Sequence, residues 1–206
     1  LAARPAFVRI LLPGRQAAAA GQAPKCLNII EALNGCRIRQ RISVPYQYQT
    51  VWKKVSPELA AEITGFWIDA KALPKGSDPG ERAQQVAVIM RDGSGAIAAL
   101  SSAVPDVVPR LRQVLYCYRT LCAAEHRGNH TSLTMLQCSQ KALLEYNQSL
   151  PQPEAIGIYL EIESRMIAEH YDEAFWPRTG FNFIGYSPRG LVLRAYYFPG
   201  FKLQPP

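Results

Sequence analysis

The chain changes its periodicity abruptly once, and that change limits the folds open to it. Residues 114–122 form an extended run, and Glu125, His126, Arg127, Gly128, Asn129, His130, Thr131 and Ser132 make a short polar loop. Leu133, Leu136, Ala142 and Leu143 then recur at helical spacing until Leu150-Pro151 ends the pattern. A strand that turns directly into an amphipathic helix belongs to an α/β or α+β layered fold. The loop also has a chemical meaning. Amides that open a helix lack intrahelical partners and sit at the positive end of its dipole, so this stretch is either an anion cradle or a plain capped connection.

The remaining punctuation supports a mixed sheet. Residues 27–33 read as a short helix stopped by Asn34-Gly35, and 36–44 as an alternating strand. Ser56-Pro57-Glu58 opens a helix that repeats Leu59, Ile63, Phe66 and Trp67, and residues 75–80 read as a flexible loop. Residues 86–90 and 96–103 form a hairpin about Asp92-Gly93-Ser94-Gly95. Residues 156–162 are a further strand, 166–176 a helix closed by Pro177, and 181–186 with 191–198 a second hairpin. With Pro5, Pro13, Gly14, Gly21, Pro24 and an alanine run, residues 1–25 read as an extended leader before a single domain over 26–206.

Composition narrows the function classes. Hydrophobic residues make up 48% and charged residues 19% of 206, a balance that can bury a core. The net charge of +7 favours anionic partners: a phosphorylated cofactor, an acidic carrier protein or nucleic acid. The basic residues are dispersed and no recognition motif accompanies them, so charge alone is a weak case for nucleic acid. Five cysteines without ligand spacing argue against a disulfide framework or a zinc site, and for a reducing, cytoplasmic setting. Arg9 interrupts the apolar run at 7–12, which argues against a secretion signal, and no apolar run has membrane-spanning length.

Three stretches resemble the GNAT superfamily of N-acetyltransferases over roughly residues 50–200. The hairpin at 85–103 is similar to the family's central antiparallel strands. Tyr116 to Gly128 is similar to the strand that ends in its Pro-Glu-x-Arg-Gly step, and Thr179-Gly180-Phe181 to its closing Leu-Gly-Phe. The resemblance implies a mixed, mostly antiparallel twisted sheet flanked by helices, and acyl transfer from coenzyme A or acetyl-coenzyme A to a small-molecule or peptide amine. It implies that Arg127, Gly128, Asn129, His130, Thr131 and Ser132 cradle the pyrophosphate, and that the main chain of Leu121, Cys122 and Ala123 holds the pantetheine arm. His130 and Ser132 depart from the small residues preferred there, and Trp176 stands where many members have a proton-donating tyrosine.

An indole cannot serve as a general acid near neutral pH, so Tyr171, with His170 beside it, is the candidate acid. Glu163, with Glu161, is the candidate base. Two other readings stay open beside the coenzyme A enzyme. One is an N-acyl synthase fed by acyl carrier protein, which a basic surface would suit. The other is a binding or regulatory module without chemistry. The aromatics at 175–198 supply core or the floor of an acyl cleft.

Overall fold

The computed structural model describes residues 46–73, 76–127 and 131–203. The leader, the helix and strand expected over 27–44, Cys26 and Cys36 lie outside the described residues, as do Gly128, Asn129 and His130.

Eight strands form one sheet: β1 (Gln47–Thr50), β2 (Val86–Arg91), β3 (Ile97–Val108), β4 (Gln113–Cys122), β5 (Gly157–Ile162), β6 (Phe175–Trp176), β7 (Phe181–Tyr186) and β8 (Val192–Tyr197). Their order is β1-β2-β3-β4-β5-β8-β7-β6, and every neighbouring pair is antiparallel except β4 and β5. The expected mixed, mostly antiparallel sheet flanked by helices is what the chain forms.

Helix α1 (Pro57–Asp69) begins as its sequence dictates: the Ser56 hydroxyl accepts the Leu59 amide at 3.3 Å, and Ile63 and Trp67 face inward. The same grammar recurs at Asp78-Pro79, where the Asp78 carboxylate accepts the Gly80 and Glu81 amides at 2.7 and 3.3 Å. That cap starts a short helix, α2 (Pro79–Ala83), so the loop expected over 75–80 ends earlier than its composition implies. Helices α1 and α2 cover one face of β2, β3 and the end of β4 through Val86, Ile89, Leu100 and Leu121.

Helix α3 (Thr131–Ser149) covers the other face. Met135, Leu136 and Leu143 pack on Tyr116, Tyr118, Ile158 and Leu160, a contact that excludes water from large apolar side chains on both layers. Within this layer the Asn147 side chain accepts the Glu154 and Ala155 amides at 2.9 and 3.2 Å and donates to the Ala155 carbonyl at 2.7 Å. It thereby fixes where β5 starts.

The helix expected over 166–176 is a correction. Helix α4 (Arg165–His170) stops after six residues, and Tyr171 leaves it at φ −120°, ψ 64°. Phe175 and Trp176 pair with β7 instead. The cause is tertiary. The Arg194 guanidinium donates to the carbonyls of Tyr171 and Glu173 at 2.9 and 2.6 Å, and the Trp176 indole N–H donates to the Tyr171 carbonyl at 3.1 Å. These bonds outweigh the weak helical preference of a short segment.

Candidate functional site

Strands β4 and β5 run side by side for only three residues, Tyr116–Tyr118 against Ile158–Leu160. β4 continues to Cys122 and β5 to Ile162, yet neither pairs with the other beyond that point. Each keeps its outer partner: Arg119 to Cys122 stay on β3, and Glu161 and Ile162 stay on β8. The sheet therefore opens as a wedge between two intact edges.

Alternation along β4 decides which main-chain groups face the gap. The Ala123 amide donates to Ala98 at 2.9 Å, which turns odd-numbered positions toward β3. On the other side, the Ile156 amide donates to the Val114 carbonyl at 3.0 Å, which turns even-numbered positions toward β5. By this register the amides and carbonyls of Thr120 and Cys122 point into the wedge. The Cys122 carbonyl takes the Arg127 side chain, and the groups left without a strand partner require one from water or from a ligand.

On the face covered by α3, the wedge lies beside the start of that helix. Leu121 packs toward α1, Cys122 toward α3, and Ala123 closes the strand through its amide bond to Ala98. Arg127 is exposed, and its Nε donates to the Cys122 carbonyl at 3.2 Å. Thr131 opens α3 and is buried, whereas Ser132 is exposed. Burial pushes the Cys122 thiol pKa up, against opposing contributions from the Thr131 hydroxyl and the Arg127 charge. An inert thiol results, in keeping with a structural cysteine. Just ahead of the loop the His126 Nδ1 lies 3.1 Å from the Tyr46 hydroxyl, and its Nε2 lies 3.6 Å from the Asp92 carboxylate.

Tyr171 sits on this same side. Its ring meets Trp176 edge-on at 5.7 Å and His170 at 4.8 Å, with 39% of its surface exposed. Trp176 is half-buried: the Arg194 guanidinium lies 4.0 Å from its ring centre, and Phe181 packs against it at 6.4 Å. Arg194 sits on β8 directly opposite Leu160, the last residue of β5 that pairs with β4.

The opposite face carries charge. In the parallel register Cys117 meets Tyr159, so Arg119 and Glu161 occupy the first rung that fails to close. Glu161 is 28% exposed and accepts from Arg189 at 3.1 Å. Burial raises its pKa, but the Ser187 hydroxyl and Arg189 outweigh that effect and hold it below the usual range. Glu163 lies beyond the strand, exposed, with Arg189 at 3.4 Å. The candidate base and the candidate acid therefore stand on separate elements, one after β5 and one after α4. Arg119 is a residue that local pattern misses, because only the β4–β5 register reveals that it flanks the opening.

No family model matches the sequence, and no curated protein matches it. Solved structures do. The ribosomal-protein-S5-alanine acetyltransferase from Vibrio fischeri superposes with a TM-score of 0.52 at 11% identity, covering 77% of this chain and 96% of its own. A bacterial toxin reaches 0.50 at 14% identity, with 75% and 91% covered. A protein named SsHAT reaches 0.50 at 11% identity, with 74% and 98% covered. This chain has the GNAT fold. At such identities the likeness concerns the arrangement of the chain, and function has to be argued from the site.

Within this GNAT fold the terminal aromatics act mainly as core. A continuous series of ring contacts runs Trp176, Phe181, Tyr196, Phe198, Tyr116 and Trp52 at centroid separations of 5.6 to 6.4 Å. Phe183 and Tyr186 form an outer pair at 5.2 Å, with both rings exposed. Among the described residues no three His, Cys, Asp or Glu side chains gather as a metal site, and no helix is long and apolar enough to cross a membrane.

Proposed function

We propose that this chain is an N-acyltransferase that moves an acyl group from a coenzyme A thioester to an amine. The observation that carries the reading is the wedge: the main-chain groups of Thr120 and Cys122 on β4 turned toward an opening that lies beside the N-terminal end of α3. An extended amide-bearing arm would complete the open edge of β4 at Thr120 and Cys122, as an added strand does. Its phosphates would meet the helix-opening amides over Arg127 to Ser132, with the Arg127 guanidinium exchanging the Cys122 carbonyl for a stronger anionic acceptor.

In the reaction the amine nitrogen attacks the thioester carbonyl, the carbon–sulfur bond breaks, and the thiolate takes a proton. Tyr171 is the proposed donor of that proton. Its ring packs against Trp176, so it stands next to the position where the family resemblance puts a tyrosine. The amine loses its proton to a carboxylate, Glu163 or Glu161. Glu163 is the more solvated of the two, and Arg189 binds both. Most of the acceleration would come from positioning donor and acceptor across one opening.

A second reading, a binding module without turnover, is favoured by Trp176, whose N–H is committed to the Tyr171 carbonyl and whose ring is stacked on the Arg194 guanidinium. Release of free thiol from acetyl-coenzyme A with a panel of amines separates the two. Turnover that falls about 100-fold or more in Tyr171→Phe and in Glu163→Gln supports the assignments, since proton transfer by a placed side chain contributes roughly 10²- to 10⁴-fold. Full turnover in both variants would remove these roles, and thioester binding without turnover on any amine would leave the binding module.

A further inference from the structure

β4 hands the chain to Arg127 through one turn of 3₁₀ helix, Ala124–His126. The turn's own main chain closes it weakly. The His126 amide donates to the Ala123 carbonyl at 3.1 Å and the Arg127 amide to the Ala124 carbonyl at 3.4 Å, with the poorer geometry that such turns have. No side chain caps the turn, and Ala124 and Glu125 are exposed. The Arg127 Nε bond to the Cys122 carbonyl stays within the same stretch, so it does not fix the turn against the rest of the sheet.

The His126 side chain supplies that link. Its ring is half-buried, with Nδ1 3.1 Å from the Tyr46 hydroxyl, the two rings edge-on at 5.7 Å, and Nε2 3.6 Å from the Asp92 carboxylate. Tyr46 immediately precedes β1 and Asp92 lies in the turn between β2 and β3, so one imidazole ties the end of β4 to the ends of three other strands. Asp92 is itself held in place. One of its oxygens accepts the Ser94 hydroxyl at 2.6 Å and the Ser94 and Ala96 amides at 2.9 and 3.2 Å, and the other faces His126. The Ser94 hydroxyl first, then those amides and the imidazole, hold this carboxyl below the usual carboxylate range, so it is an anion at neutral pH.

Both ring nitrogens are used in either charge state. With its proton on Nε2 the neutral ring accepts the Tyr46 O–H at Nδ1 and turns an N–H toward Asp92; the doubly protonated ring donates at both ends, and the tyrosine oxygen accepts. The 3.6 Å separation is that of an ion pair and not of a hydrogen bond, so the attraction to Asp92 is electrostatic. An aliphatic side chain at this place offers neither contact.

We infer that His126 is a positioning residue for the acyl donor: it holds the Ala124–His126 turn against Tyr46 and Asp92, so that the Arg127 guanidinium is already in place at the end of β4 when the donor arrives. This rests on the acyl-transfer reading above and adds the residue that orders its donor site in advance. A site ordered in the free protein binds more tightly than one whose competent arrangement is only a fraction of the population. His126 acts through Arg127 and not on the reacting atoms, so its loss falls on donor affinity and spares the chemical step.

The test is calorimetric titration of coenzyme A into the full chain as native, His126→Ala, His126→Gln and Asp92→Asn, with Asp92→Asn repeated in the His126→Ala background, and acetyl-coenzyme A kinetics on the same samples. His126→Ala should weaken coenzyme A binding about tenfold and raise the KM for acetyl-coenzyme A to match, with kcat and the amine KM unchanged. His126→Gln, which keeps a donor toward Asp92, should recover part of the loss. Asp92→Asn keeps an oxygen for the turn amides and removes the charge. It should weaken binding in the native chain and change nothing further once His126 is alanine, as coupled residues do. Native affinity in His126→Ala, a loss that Asp92→Asn deepens in full, or an equal fall in kcat that glutamine does not rescue would overturn the proposal while coenzyme A still binds the native chain. Absence of heat with the native chain would remove the donor site itself, and the proposal with it.

Discussion

Arg194 shows how one side chain can redirect the chain locally. It is 1% exposed, yet two of its nitrogens, Nε and Nη1, have no partner, and the third serves two carbonyls of the segment after α4. Burying a cation this way costs free energy, which the ring of Trp176 and the two carbonyls offset. Arg194→Ala should therefore lose about 2–4 kcal/mol in chemical denaturation, because it empties the space under Trp176 and orphans two carbonyls. Arg194→Met keeps the volume and removes the buried charge, so its loss should be less than half as large. Equal losses in the two variants would assign the effect to the charge alone. None of this was legible locally: in the run from Leu191 to Phe198 a single arginine looks like an outward position, and only the packing of β6 and α4 shows that it is enclosed.

Elements were legible wherever their signals were local. Ser56-Pro57-Glu58 marks the start of α1, and Pro151 the end of α3, because caps and breakers act within a few residues. Replacing Ser56 by alanine should cost about 1 kcal/mol in the urea unfolding free energy, the usual worth of a capping hydroxyl. Short elements escaped. β1 and β6 have four and two residues, too few for a period, and exist because a neighbouring strand offers them partners. Gly157 was equally silent in sequence. A Cβ there would lie 2.1 Å from the Tyr196 carbonyl oxygen, closer than any side-chain carbon can come. Gly157→Ala should therefore separate β5 from β8 at the base of the wedge, with a stability loss well above the ~1 kcal/mol of a typical substitution, read as a lower melting temperature. A melting temperature within error of the native chain would show that the strands shift freely there.

For the molecule as a whole, ionisation joins layers that the apolar core alone would not distinguish. Arg91 donates to both carboxylate oxygens of Glu62, at 2.5 and 2.8 Å, tying α1 to β2, and this bond holds the Glu62 pKa below its usual value. A carboxylate with a lowered folded pKa stabilises above the unfolded value of about 4.3 and loses that contribution as pH falls through the folded one. Melting temperature should thus decline below about pH 4, and Glu62→Gln should flatten the decline while costing no more than ~1 kcal/mol at neutral pH, since the pair is solvent-exposed. At the alkaline end Tyr116 and Tyr118 are held protonated, in both cases first by burial, with the Glu154 carboxylate adding to the effect at Tyr116. Their contribution is present below the unfolded tyrosine value of about 10 and is lost as pH rises beyond it, so the last tyrosinate absorbance should appear together with unfolding.

The layered architecture was legible from the strand that runs into a polar loop and a helix. The wedge was not, because it depends on a parallel register between strands separated by a helix of nineteen residues. The most direct test of the function built on that wedge is calorimetric titration of coenzyme A into the full chain, repeated with Arg127→Ala. Saturable heat, weakened in the variant by the roughly tenfold or more expected of a lost charged contact, is the predicted result. Absence of heat at millimolar coenzyme A would contradict a donor site at the head of α3.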